Sequence, residues 1–336
     1  MRHKAAIAFG VVLWVVSIAP AGLFALDKVR VGLSAMSATS GSLWVAQEKG
    51  IFKKHGIEPE VIFIGGGAAR VVASLMAGDI PFATGGGDAV IRAVLKGADV
   101  VMVASPLAKG LQRVMVRPEL KSPEDLRGKK IGITRFGSAS HLVLNLVLRR
   151  WGMRPEEVQV LQVESSPAML VSLDRGGIDA AVLTMPTFFV AEERGYRVLA
   201  DLGDMDIHYM QNTLDSARGY LRKNRDQAVR FVKAMVEGIA YFKKHKKESL
   251  EVLQKKLRIQ SEQERQVRHL EKSYDLLAAK YYSEVPYPSI KAIQTSLDFL
   301  AASDPKAKGA DPKSFMDEGI VKELEASSFI NSLYQK

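Results

Sequence analysis

The sequence predicts an α/β fold built from one unit used twice, and three observations carry that prediction. Apolar, strand-like runs alternate with helical stretches of about 8 to 12 residues, the pattern of an open and mostly parallel sheet. The stretch SGSLWVAQEKGIFKKHGIEPEVIFIGGG (40–67) is answered, from residue 131 onward, by a second stretch of the same plan. Beyond Arg222 the alternation stops and helical periodicity takes over.

The first residues are set apart from this pattern. Arg2 and Lys4 precede an uncharged run from Ala5 to Leu26, and APAGLFA offers small residues at cleavage spacing after Ala21 or Ala25. Residues 1–25 therefore read as a signal peptide, removed on export. An uncleaved membrane anchor is the alternative, but Pro20 and Gly22 interrupt a run that needs about 20 apolar residues to span a bilayer. The expected location is the periplasm.

In chain order, the first copy predicts a strand at Val29–Leu33, a polar loop, a helix over Leu43–Lys53 and a strand at Pro59–Ile64. A helix at Ala68–Ala77, a short strand at Ile80–Ala83 running into TGGGD, a helix at Ala89–Lys96 and a strand at Val100–Ser105 follow. The second copy begins with a strand at Ile131–Thr134, a Gly-Ser loop and a helix at His141–Trp151. Gly41 and Gly56 are 15 residues apart, as are Gly137 and Gly152; VVASLMAGDIPFATGGG is matched by MLVSLDRGGIDAAVLTMP. SPEDLRGKK separates the copies, with Ser122 and Pro123 placed to start a short helix.

The chain is expected to cross between lobes near Pro106–Pro118 and back near Leu202–Leu221, where DLGDMDIHYMQNTLD shows no clear period. That gives a first lobe over 26–112, a second over 113–210, and a return with C-terminal helices over 211–336. Val229, Val232, Met235, Val236, Ile239 and Ala240 share one helical face, and Val267, Leu270, Tyr274, Leu277 and Tyr281 recur at helical steps. Val321–Leu333 predicts a last helix.

Composition narrows the chemistry. Hydrophobic residues at 47% and charged residues at 25% are the balance of a globular chain. There is no cysteine, which removes disulfides, thiolate metal sites and a thiol nucleophile. The net charge of +10 fits nucleic acid, acidic lipid or small anions alike. Export argues against a nucleic-acid partner, and KKHKK (243–247) sits at a helix end where cations are stabilised.

GGGAAR (65–70) and GGGD (85–88) each precede a helix, but neither is a P-loop or a dinucleotide fingerprint. The six histidines show no metal-ligand spacing, and there is no G-x-S-x-G elbow. No metal, cofactor or catalytic set is expected. Four strand-to-helix junctions carry small or polar residues: Ser40, Gly41 and Ser42; Thr84, Gly85, Gly86 and Asp88; Gly137, Ser138 and Ser140; Thr184, Met185 and Pro186. Each alone reads as helix capping. At matched positions in facing lobes they predict a ligand site at the carboxyl ends of the strands, with free backbone donors at each rim. Asp88 is placed to cap its helix or to accept a bond from an amine on a ligand, and Arg135 to pair with an anion. His141 opens a helix beside the second rim, and Trp44, Trp151, Phe136 and Tyr209 are candidate apolar walls, with Trp151 expected in the core.

LWVAQEKGIFKKHGIEPEVIFIGGGAARVVASLMAGDIPFATGGG, SPEDLRGKKIGITRFGSAS and GGIDAAVLTMP resemble segments of the substrate-binding proteins of ABC importers for sulfonate, taurine, nitrate-like anions and thiamine-precursor pyrimidines. The resemblance runs over nearly all of the chain after the leader. It implies a type II periplasmic-binding-protein fold, two α/β lobes joined by a two-crossing hinge, with a helical C-terminal segment. It also implies a non-enzymatic, monomeric capture protein that closes on a small organic anion and delivers it to an inner-membrane permease with its ATPase. A pyrimidine thiamine precursor as ligand, a lyase-type enzyme on the same fold, and a sensory partner are the alternatives. The family's pyrimidine-synthesising branch carries a cysteine-rich motif, which this chain lacks.

Overall fold

The computed structural model describes residues 26–205 and 207–335, so the predicted leader lies outside the described residues. β1 (Asp27–Leu33) leads to α1 (Gly41–Glu48). Gly50, at φ +70°, divides the helix predicted over Leu43–Lys53 into α1 and the single turn α2 (Ile51–Lys54). β2 (Ile57–Phe63), α3 (Ala68–Met76), β3 (Phe82–Gly85), α4 (Asp88–Leu95) and β4 (Val100–Lys109) complete the first run. The second run comprises β5 (Arg113–Val116), β6 (Lys130–Ile133), α5 (Ala139–Arg150), β7 (Gln159–Gln162), α6 (Ser166–Asp174), β8 (Ala180–Leu183), α7 (Thr187–Glu193) and β9 (Arg197–Asp201).

β10 (His208–Ala217) follows, then α8 (Arg218–Lys223), α9 (Arg225–Lys244), α10 (Lys246–Leu257) and α11 (Glu264–Leu276). α11 ends in a π-helical turn at Leu277–Tyr281. α12 (Ile290–Leu300), α13 (Gly319–Ala326) and α14 (Phe329–Tyr334) close the chain. Ser328, at φ +58°, splits what the sequence predicts as one last helix.

The duplicated sequence folds into two five-stranded sheets of matching order, β2-β1-β3-β10-β4 and β7-β6-β8-β5-β9. β2, β1 and β3 are parallel, as are β7, β6 and β8. The fourth position in each sheet runs antiparallel to both neighbours, β10 between β3 and β4, and β5 between β8 and β9.

The two connections between sheets, β4 to β5 and β9 to β10, lie side by side. Leu202 donates its N–H to the Gln112 carbonyl (3.1 Å), and the Gln112 side-chain amide donates to Gln211 Oε1 (3.0 Å). Gly110 lets them approach closely, because a Cβ there would stand 2.4 Å from Leu202 Cδ2 and push that side chain aside. The C-terminal helices pack on the first lobe yet reach the second. His269 and Arg265 of α11 both bond the Glu193 carboxylate of α7, at 2.8 and 3.1 Å.

The structure corrects the reading of 202–221 as aperiodic crossing chain. Half of that stretch is β10, ten residues long, and it buries Thr213, Asp215 and Ser216 as well as Tyr209, Met210 and Leu214. A central strand covered on both faces needs no polar–apolar alternation, so its period was invisible. One Asp215 carboxylate oxygen has no hydrogen-bond partner, and burial pushes its pKa well above the ordinary carboxylate value, against the pull of Thr213. A folded-state pKa raised above the unfolded one means that the folded chain binds the extra proton, so stability falls as pH rises from about 4. Asp215→Asn should therefore be more stable than wild type at pH 7, with the advantage shrinking toward pH 4, as read by urea unfolding at several pH values.

Candidate functional site

β1 and β3 flank the point where strand order reverses in the first sheet, and β6 and β8 do so in the second. Ligands of open α/β sheets bind outside the carboxyl ends of strands at such points. The loops singled out in the sequence follow Leu33, Gly85, Ile133 and Leu183, the last residues of those four strands.

The first rim is largely satisfied within the protein. Ser40 donates its N–H to Ser37 O, Gly41 to Ala38 O, and Ser42 to the Tyr282 hydroxyl at 3.2 Å. That hydroxyl in turn donates to Thr39 O at 2.9 Å. The expectation of free backbone donors at Ser40–Ser42 is thus corrected, because a tyrosine from the C-terminal segment caps the start of α1. Ser40 and Ser42 are buried, and a Cβ on Gly41 would stand 2.5 Å from the Phe242 ring. Thr84 is buried with its hydroxyl toward Gly32 O (3.4 Å). Gly85 accepts from the Thr213 hydroxyl (3.2 Å), and the Gly86 carbonyl accepts from Ala89 N–H. Asp88, half-buried, starts α4; burial raises its pKa, while Arg92 and the N–H groups of Asp88 and Ala89 oppose the rise. Burial, then the nearby Asp88 charge, pushes the Tyr209 phenol well above its ordinary value.

The second rim is a knot of hydroxyls. Thr134 donates its N–H to Ser140 Oγ (2.8 Å) and its hydroxyl to Ser138 Oγ (2.9 Å), while Ser138 and Ser140 lie 3.0 Å apart. Gly137 N–H donates to His141 Nδ1 (3.0 Å), which requires a lone pair there; burial lowers the His141 pKa and favours that neutral ring. Thr184 is held by Ser166, N–H to Oγ at 3.2 Å. Arg135 is exposed, and its guanidinium has no hydrogen-bond or ion-pair partner among the described residues.

The rims meet at two places rather than one. Arg92 donates to the Gly137 carbonyl at 3.2 Å, and the His141 ring stands edge-on to Phe299 with centroids 5.8 Å apart. Asp88, Gly137 and Ser138 line this junction with Ser296 and Phe299. At the other place a cavity of about 360 Å³ is lined by Met36, Ser37 and Ala38 of the first lobe and Met185 and Pro186 of the second. Leu257, Ile259, Gln266, His269, Leu270 and Ser273 complete it from α10, α11 and the loop joining them. Ser40, Ser42 and Thr84 instead face a small void inside the first lobe, beside Asn212 and Pro106. A groove of about 470 Å³ between α5 and α12 includes Arg149, Arg150 and Asp298 and touches none of the predicted loops.

Arg92, Ser166, Asn212, Tyr282 and the α10–α11 lining were not singled out in the sequence. Arg92 stands four residues after Asp88 on one helix face, a readable pairing; the others come from distant segments with no local signal. Trp44 is core, not cleft wall, at 1% exposure, and Tyr209 is buried too, whereas Phe136 is 57% exposed beside the second rim. Among the described residues no group of three His, Cys, Asp or Glu side chains is placed to hold a metal, and no helix is long and apolar enough to cross a membrane.

Two lobes of one topology, joined by paired crossings with their strand-end loops facing, define the type II periplasmic-binding-protein fold. Residues 38–249, more than half of the chain, match the family model described as NMT1/THI5 like, and the chain belongs to that family. It is 31% identical over 135 residues to the taurine-binding periplasmic protein of Escherichia coli K12, covering 40% of this chain and 41% of that one. It is 26% identical over 254 residues to the nitrate import ATP-binding protein NrtC of Synechocystis, covering 68% of this chain and 37% of that one. The chain thus spans less than half the length of each of these curated relatives. The crystal structure of the periplasmic aliphatic sulphonate binding protein SsuA from Escherichia coli superposes with a TM-score of 0.71 at 20% identity, over 87% of this chain and 92% of that one.

Tyr282→Phe deletes the hydroxyl that serves both Ser42 N–H and Thr39 O, leaving buried backbone groups unpaired. A loss of about 1–3 kcal/mol in unfolding free energy is expected by urea titration.

Proposed function

We propose that this protein is the solute-binding component of an ABC importer, exported to the periplasm, and that it captures a small organic anion between its lobes. The observation that carries the reading is Arg135. Its cation stands unpaired and exposed on a rim loop whose other polar groups are tied to one another. A guanidinium in that position suits the planar or trigonal oxygens of a sulfonate or carboxylate. Gly86 to Asp88 on one lobe and Gly137 to Ser140 with Thr184 to Pro186 on the other would then contact the ligand, and Asp88 would take an amine where one is present.

Capture would proceed by hinge closure about the paired crossings, and the closed form would dock on a membrane permease driven by its ATPase. Selectivity would follow because each buried polar group of the ligand must find a partner once water leaves. The reading is that of a binder without turnover. The family relationship to a taurine-binding protein and the shared fold with a sulfonate-binding one support an oxyanion head group.

Calorimetric titration of ligand-stripped protein with alkanesulfonates and short carboxylates tests it. Binding at one site is expected, with the anion recovered unchanged, and Arg135→Ala is expected to weaken it about 10- to 100-fold, the range for losing a charged hydrogen bond. Conversion of the anion to product, or no binding of either class, would overturn the proposal.

A further inference from the structure

We infer that the cavity between Met36 and α11 is the subsite for the apolar body of the ligand, so that the substrate class is an organic anion bearing an alkyl or aryl group rather than a two-carbon one. This rests on the proposed capture function and specifies its ligand. The cavity opens between a loop of each lobe, Met36–Ala38 and Met185–Pro186, at one of the two places where the rims meet. Its volume of about 360 Å³ lies within the ~300–1,000 Å³ of small-molecule sites.

The lining decides what would fill it. Leu257, Ile259 and Leu270 form one wall, and Met36, Met185 and Pro186 the other. Met36 is 46% exposed, an apolar side chain left in solvent at the mouth, and thioethers adapt to ligands of varied shape. The polar groups inside are already engaged. Ser273 donates to His269 O at 2.8 Å, His269 Nε2 pairs with Glu193, and Ser37 Oγ accepts from Thr39 N–H. Gln266 stands at the exposed mouth. A charge placed within would lose its hydration without gaining a counter-ion, whereas hydrocarbon loses nothing and gains burial. The anionic head therefore belongs on the polar rims and the carbon skeleton against α10 and α11.

The test is a calorimetric series of ethane-, butane-, hexane- and octanesulfonate on the full chain. Affinity should rise about fourfold per methylene until the cavity is full, which is the burial gain of one CH₂. Gln266→Trp, which fills the mouth, and Met36→Asp, which places a like charge there, should both flatten that gradient. Sulfonate binding with no dependence on chain length overturns the inference and leaves the proposed function standing. If no sulfonate of any length and no short carboxylate binds, the proposed function fails, and the neutral dye N-phenyl-1-naphthylamine then judges the cavity alone. Fluorescence enhancement that is lost in Gln266→Trp supports an apolar subsite; no enhancement overturns this inference as well.

Discussion

The paired crossings constrain everything else in the molecule. Leu202 N–H on Gln112 O, the hydrogen bond from the Gln112 side-chain amide to Gln211 Oε1 and the close approach of Leu202 to Gly110 hold two connections side by side. Each connection supplies the one antiparallel strand of the sheet it enters. The covalent link between the lobes is therefore only a few residues wide, with further contacts at Arg92–Gly137 and at Glu193 of α7, and the strand ends of both sheets are brought to face each other. A rim residue owes its place to this arrangement more than to its own loop.

The rims spend most of their polarity on themselves. Ser138, Ser140 and Thr134 bond one another, Ser166 holds Thr184, and Tyr282 caps α1. Such internal satisfaction keeps the loops in fixed shapes when solvent leaves, which is what preorganised recognition requires. It also leaves few groups with unmet demand. Arg135 is one, whereas the Asp88 carboxyl, which burial makes costly to ionise, is already served by the N–H groups of Asp88 and Ala89 and by nearby Arg92. Beside them α10 and α11 supply hydrocarbon. The C-terminal segment, tied to the second lobe through Glu193, thus shapes the gap as well as bracing the first lobe.

The duplicated plan was legible because both copies keep their strand–loop–helix spacing, from Gly41 to Gly56 and from Gly137 to Gly152. The loops at Thr84–Asp88 and Gly137–Ser140 were legible for the same reason, as small residues at matched strand ends. β10 was not, because a strand buried on both faces hides polar residues such as Asp215 where alternation would expose them. Nor were Tyr282 and Leu270, which reach the rims from far along the chain after a series of helices that sequence periodicity places only on a generic core. The free-donor reading of Ser40–Ser42 failed because local capping rules say nothing of a tertiary partner 240 residues away.

The chain has no cysteine, so two introduced thiols can be spin-labelled cleanly. Met76→Cys on α3 and Val171→Cys on α6 replace exposed apolar side chains, one on each lobe. The account predicts that the distance between these labels, measured by double electron–electron resonance, shortens and narrows when a bound anion is present at saturation. An unchanged distance distribution, with binding verified in the same sample, would contradict capture by lobe closure.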